Sequence, residues 1–257
     1  MKEELFAIAS RVREALRGIA ASDTAGDAVG KGVDGAPSYR ADMIADRAAS
    51  EALDSLSLKL NVLSEESPYV DRGADQTLVI DPLDGSHNFI QGIPFYAVSL
   101  AVGSKSLSGM MYAMVMNVVT GDVFYAEKGR GAFLNDKPIR VRKYDEKSSM
   151  FLVYMGSNAS LNSYDIARKT SRARSLGSAS LEMCYVAHGV ADLFYMRCSD
   201  NNYALRIVDI AASSLILREA GGEVYDMTGN IFDMKLDISD RKSLLAVGDK
   251  NLRRLAI

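Results

Sequence analysis

The apolar, mostly β-branched run Thr77-Leu78-Val79-Ile80 leads straight into Asp81-Pro82-Leu83-Asp84-Gly85-Ser86-His87-Asn88. The run reads as a buried strand. Pro82 offers no ladder N–H and Gly85 loosens the backbone, so the strand is expected to stop at Asp81 and turn. Two carboxylates three residues apart then face one space at a strand end. Like charges held that close raise one pKa unless a cation screens them. Mg2+, which favours carboxylate oxygens together with waters and a phosphate, is the economical cation. Gly85 and Ser86 add backbone N–H groups and a hydroxyl at a helix start, a ready anion site. A plain Asp-Pro turn before an Asx-capped helix explains either dipeptide by itself. The whole octapeptide favours metal and phosphate.

The chain has 257 residues, enough for one large domain or two modest ones. Thirty Lys and Arg against 33 Asp and Glu give a net charge of −3, which argues against a nucleic-acid binder working through a general basic surface. Cys184 and Cys198 have no partner at zinc-ligand spacing and read as buried small hydrophobes in a reducing compartment. The first residues lack a signal-peptide pattern, and the apolar stretch 110–116 is too short to span a membrane. A cytoplasmic protein without membrane or nucleic-acid partners is expected.

Leu5, Ile8, Ala9, Val12, Leu16 and Ile19 recur at helical spacing and predict a helix over 2–21. Residues 25–38 are glycine-rich, a loop or hairpin. A second helix over 42–53 carries Asp42 and Asp46 on one face; helix capping alone accounts for Asp42 unless the site comes near it. A strand end at 62–67 runs into Glu65-Glu66. Strands at 96–102, 108–119, 122–126 and 131–141 form an antiparallel meander with turns at Thr120-Gly121 and Asn135-Asp136. The charged patch 142–147 marks a boundary between an α+β part, 1–145, and an α/β part, 146–257, packed as one unit with the site between them. The second part alternates strands at 151–155, 193–195, 223–225 and 243–247 with helices near 161–170 and 179–189. A long helix led by Ile207-Val208-Asp209 stops at Gly221-Gly222, and a terminal helix is expected at 252–257.

Three blocks carry a resemblance: Ser64-Glu65-Glu66-Ser67, the octapeptide from Asp81, and Val208-Asp209-Ile210-Ala211-Ala212 running into Glu219-Ala220-Gly221-Gly222. With Leu176-Gly177-Ser178-Ala179 and the Asp42 helix, they resemble the inositol monophosphatase-like family of Mg2+-dependent, lithium-sensitive phosphatases. The resemblance implies a layered αβαβα sandwich, a homodimer, and two or three Mg2+ per site with Mn2+ as a substitute. Glu65, Asp81 and the Leu83 carbonyl would hold a first ion; Asp81, Asp84 and Asp209 a second. Asp84, Gly85 and Ser86 would contact the phosphate, with Gly177, Ser178 and Ala179 also at the substrate. Asp42 and Ser86 would orient the attacking water beside Glu65. One cation would acidify that water and another would steady the departing oxygen.

The loop Gly32-Val33-Asp34-Gly35-Ala36-Pro37-Ser38 and the approach Arg206-Ile207-Val208-Asp209 look like the archaeal-type branch, which hydrolyses fructose 1,6-bisphosphate and inositol monophosphate. Inositol-dedicated members carry Trp before the last ligand; here Val208 stands there, and the chain has no Trp. A bisphosphate needs further cations, for which Arg172, Arg174 and Arg206 are candidates. Lys31 and Asp34 are weaker candidates for a third metal or for positioning water. His87 and His188 are not needed by the chemistry, and Tyr154, Met155, Tyr185 and Tyr203 read as packing. Two rival readings are a 3′-phosphoadenosine 5′-phosphate phosphatase and a partner of the transcription machinery.

Overall fold

The computed structural model describes residues 1–19, 26–31, 37–67 and 69–255. Helices α1 (Lys2–Ile19) and α2 (Arg40–Ser55) each bury one stripe: Leu5, Ile8, Val12 and Leu16 in the first, and mainly alanines in the second. Small side chains let the two axes approach closely. Between them β1 (Ala28–Lys31) pairs antiparallel with β2 (Pro37–Tyr39), and residues 32–36 of the glycine-rich stretch lie outside the described residues. Residues 20–21, which were expected to end the first helix, lie outside the described residues. So do Asp34 and the Lys31 side chain.

A seven-stranded sheet follows in simple order: β3 (Asn61–Ser64), β4 (Thr77–Asp84), β5 (Ala97–Gly103), β6 (Met110–Asn117), β7 (Val123–Glu127), β8 (Ala132–Leu134) and β9 (Lys137–Ile139). β3 and β4 run parallel and every later neighbour is antiparallel. At the β8–β9 turn Asn135 and Asp136 both take positive φ, 48° and 65°, as a two-residue hairpin loop requires. The expected strand stop at Asp81 is corrected. β4 continues to Asp84, because Asp81 pairs with Ser99 and Asp84 with Ala97, leaving Pro82 and Leu83 opposite Val98 alone. The extra residue makes a β-bulge, where the missing N–H of proline costs no ladder bond. The turn begins at Gly85, ahead of α3 (Ser86–Ile90).

The second sheet has the order β11-β10-β12-β14-β13, from β10 (Phe151–Val153), β11 (Ala173–Arg174), β12 (Leu193–Met196), β13 (Glu223–Tyr225) and β14 (Leu244–Val247). It is parallel across β11-β10-β12 and antiparallel beyond. Alternation along the strands fixes the layers. Leu78 and Ile80 face α1 and α2, whereas Val79 faces α5 (Ala179–Ala187) and α6 (Ile207–Glu219). Leu152 and Phe194 face that same middle layer from the second sheet, whereas Phe151, Val153 and Tyr195 face outward under α4 (Leu161–Ala167). The architecture is therefore a five-layer αβαβα sandwich. Helix α6 lies between the sheets with residues 207–217 all buried, which explains its nearly unbroken apolar sequence. The expected terminal helix is a 3-10 helix, Lys250–Leu255; residues 256–257 lie outside the described residues. Among the described residues no helix is long and apolar enough to cross a membrane.

Candidate active site

Three distant segments deliver carboxylates to one place. Glu65 follows the end of β3, Asp81 and Asp84 flank the bulge in β4, and Asp209 lies in the first turn of α6. Oxygens of Glu65, Asp81 and Asp209 lie within 4.8 Å of one another. Asp81 Oδ1 accepts from the Leu83 N–H at 3.0 Å, closing an Asx turn over the bulge. Asp84 sits at the N-terminus of α5, where its Oδ2 accepts from Ser178 Oγ at 2.6 Å and the Ser180 N–H at 2.8 Å, and its Oδ1 from the Ala179 N–H at 3.2 Å.

Among the described residues, Arg206 is the cation that lies among these acids. The Arg206 N–H donates to Asp209 Oδ2 at 2.7 Å, and its Nη2 donates to Asp209 Oδ1 at 3.0 Å and Glu65 Oε1 at 2.5 Å. A single guanidinium does not offset so much buried negative charge. Burial pushes Glu65 up to about 8, with Arg206 pulling back and Asp209 adding to the rise. Burial, then Glu65 and Asp84, hold Asp81 well above the usual carboxylate range. Asp84 rises to about 6 through burial, moderated by the serine hydroxyls. The clustered oxygens of Glu65, Asp81 and Asp209 are all carboxylate, which suits a hard divalent cation.

Asp42 caps its helix and also touches one residue that lines the site. It accepts from the Tyr39 N–H at 3.0 Å as part of a capping box, and from the Ser86 hydroxyl. Burial raises it to about 6. Asp46, one turn on, accepts from Ser64 Oγ at 2.6 Å and from Ser67 Oγ, the two serines that bracket Glu65-Glu66. Asp46→Ala strands both hydroxyls and loosens the Glu65 segment. The expected loss is about 1–3 kcal/mol of stability, together with weaker Mn2+ binding. Thermal melts and calorimetric Mn2+ titration check this; parental values in both would make Asp46 an ordinary helix residue.

A cavity of about 330 Å3 opens over the cluster. Gly85, Ser86, Gly177, Ala179 and Arg206 line it with the acids and the Leu83 segment, while Ser178 lies behind with its hydroxyl on Asp84. Arg172 and Arg174 do not line it. Both are exposed; Arg174, on edge strand β11, bonds the neighbouring Ala173 carbonyl at 2.8 Å, and Arg172 reaches the Lys147 carbonyl at 3.4 Å. Tyr154, expected as packing, lines the cavity with Phe194 and Met196, whereas Met155, Tyr185 and Tyr203 do not. His87 lines it too, its ring edge-on to Tyr39. His188 caps the end of α5. Sequence reasoning missed Glu182. It is 4 % exposed and accepts from the Leu176 N–H at 3.1 Å and the Gly177 N–H at 3.3 Å. Burial pushes it up to about 8. Its signal was a lone acid inside the apolar run of α5.

The inositol monophosphatase family matches residues 2–256. The chain belongs to that family. A fructose-1,6-bisphosphatase/inositol-1-monophosphatase of Methanothermobacter thermautotrophicus is 36% identical over 260 residues, 95% of this chain and 91% of its own. A Nus factor SuhB of Pseudomonas aeruginosa is 34% identical over 202 residues, 72% of each chain. A solved inositol monophosphatase–fructose 1,6 bisphosphatase superposes with a TM-score of 0.86 at 30% identity, covering 99% of this chain and 97% of its own. This member of the inositol monophosphatase family is thus a phosphatase with the family fold, and its likeness to the archaeal-type branch is borne out.

Proposed function

We propose that this family member is a Mg2+-dependent phosphomonoester hydrolase acting on fructose 1,6-bisphosphate, inositol monophosphate or both. The observation that carries this reading is the meeting of Glu65, Asp81 and Asp209 oxygens beside the Gly85–Ser86 turn, with one arginine as counter-charge. Glu65, Asp81, Asp84, Asp209 and the Leu83 carbonyl would hold the ions. Bound Mg2+ would supply the charge that acidifies an attacking water and offsets charge on the leaving oxygen. The chain's own groups do the rest. Asp42, raised to about 6, and the Ser86 hydroxyl bonded to it orient that water. The Gly85 and Ser86 N–H groups, at a turn with Gly85 φ at 93°, cradle the phosphoryl oxygens. Tyr154, Phe194 and Met196 give the sugar or polyol an apolar wall. The homodimer expected of the family belongs to the same reading.

For a second phosphate, Arg206 is already in the cavity but engaged by Glu65 and Asp209. Arg174 does not line it, but it directly precedes Ser175, which does. The test is phosphate release, with Mg2+, from fructose 1,6-bisphosphate, inositol 1-phosphate, 3′-phosphoadenosine 5′-phosphate and NADP. Sugar and polyol esters are expected to turn over at least about tenfold faster than the nucleotides, a difference of about 1.4 kcal/mol in barrier. Release from the nucleotides alone would overturn the assignment. Arg174→Ala is expected to raise KM for the bisphosphate about tenfold and to spare the monophosphate; equal losses would make Arg174 structural. A second reading, a partner of the transcription machinery, is favoured by the SuhB relative. Co-purification with RNA polymerase at physiological salt tests it.

A further inference from the structure

Asn88 closes the octapeptide, yet no step above uses it. It is 9 % exposed, and its Nδ2 donates to two carbonyls, Phe95 and Leu176, each at 2.7 Å. Only an NH2 group can face two carbonyl oxygens, so the amide's orientation is forced. Phe95 belongs to the loop after α3, whereas Leu176 lies 88 residues beyond Asn88, just before α5. The Leu176 residue is gripped at both ends, because its N–H donates to Glu182 while its carbonyl accepts from Asn88. The joint is tight. A Cβ on Gly177, whose φ is 86°, would stand 3.0 Å from Asn88 Nδ2, and one on Gly85 would stand 3.1 Å from the Gly177 carbonyl oxygen.

We infer that Asn88 is a positioning residue that fixes the Gly85–Ser86 turn against the Leu176–Ser180 segment. That segment supplies every side-chain and backbone donor named above for Asp84, from Ser178, Ala179 and Ser180. Asn88 thereby sets the spacing between the phosphate-facing turn and the segment whose donors orient Asp84, without touching substrate. The inference rests on the phosphatase reading only for its kinetic readout.

Asn88→Asp is the sharpest variant. It keeps shape and volume but turns an acceptor toward two carbonyl oxygens. Asn88→Ala removes both bonds, and Asn88→Ser keeps one donor should the others fold poorly. In each, kcat is expected to fall about 10- to 100-fold, the scale of an ångström-level misplacement, with KM changed less than about threefold. Amide exchange at 176–180 is expected to quicken while that of α1 stays parental. Glu182→Gln, which loosens the same residue from its other end, is expected to give the same exchange pattern more weakly. Exchange needs no turnover, so it tests the joint even if the substrate assignment fails. Parental exchange at 176–180 together with parental kcat in Asn88→Asp would overturn the inference.

Discussion

Asp81→Asn is expected to cut Mg2+-dependent phosphate release by about a thousandfold or more while leaving the metal-free protein at least as stable as its parent. The first half follows from position. On the proposed reading Asp81 would help to hold both ions, and metal stabilisation of a transition state is worth several kcal/mol, each 1.4 of which is about tenfold in rate. The second half follows from charge. Asp81 is buried among other acids, with the Leu83 N–H as its hydrogen-bond donor, and its pKa stands well above the usual range. Asparagine mimics the neutral form that the metal-free protein already favours. Asp209→Asn contrasts with it. Asp209 pairs with Arg206, so removing its charge leaves a buried guanidinium short of a partner and lowers the metal-free melting temperature. Phosphate release and melting curves with EDTA or Mg2+ measure all of this. An Asp81→Asn enzyme within tenfold of parental activity, or one that still gains stability from Mg2+, would remove Asp81 from the ligand set.

The second large effect is a widening gap between metal-free and metal-loaded stability as pH rises. Glu65 and Glu182 release protons near 4.5 in the unfolded chain but near about 8 in the folded, metal-free protein. Between those values the folded state binds more protons, so metal-free stability falls as pH climbs through the window. On the proposed reading metal binding would have the opposite dependence, since it would need ionised carboxylates and would expel protons from Glu65, Asp81 and Asp84. Saturating Mg2+ at a hundred times Kd adds about 2.7 kcal/mol, or roughly 5–10 °C for a chain of this size. Melts at several pH values from about 5 to about 8.5 are expected to show the EDTA curve descending and the Mg2+ curve level or rising. A constant gap would mean that the acidic cluster does not take the metal.

Legibility in the sequence followed the range of the forces involved. Helices α1 and α2 and the meander from β5 to β9 were readable because apolar period and turn residues act locally. The acids were readable as a set through the resemblance, since spacing alone could not bring Asp209 to Asp81 across 128 residues. What stayed hidden depends on tertiary contact. Pro82 argued for a strand end, but β5 supplies a partner on which β4 can bulge and continue. Arg206 read as one of three candidate phosphate ligands, with no local sign that Glu65 would stand against it. Glu182 and Asn88 gave no local sign that one residue, Leu176, would be held between them.

The irregularity at Pro82–Leu83 also settles a matter of parity. In a regular strand, side chains three apart point to opposite faces, so Asp81 and Asp84 would lie on different sides of the sheet. One supernumerary residue shifts the count by one and turns both toward the same cavity. The proline that looks like a strand breaker is thus part of what lets a single strand present two acids to one cavity.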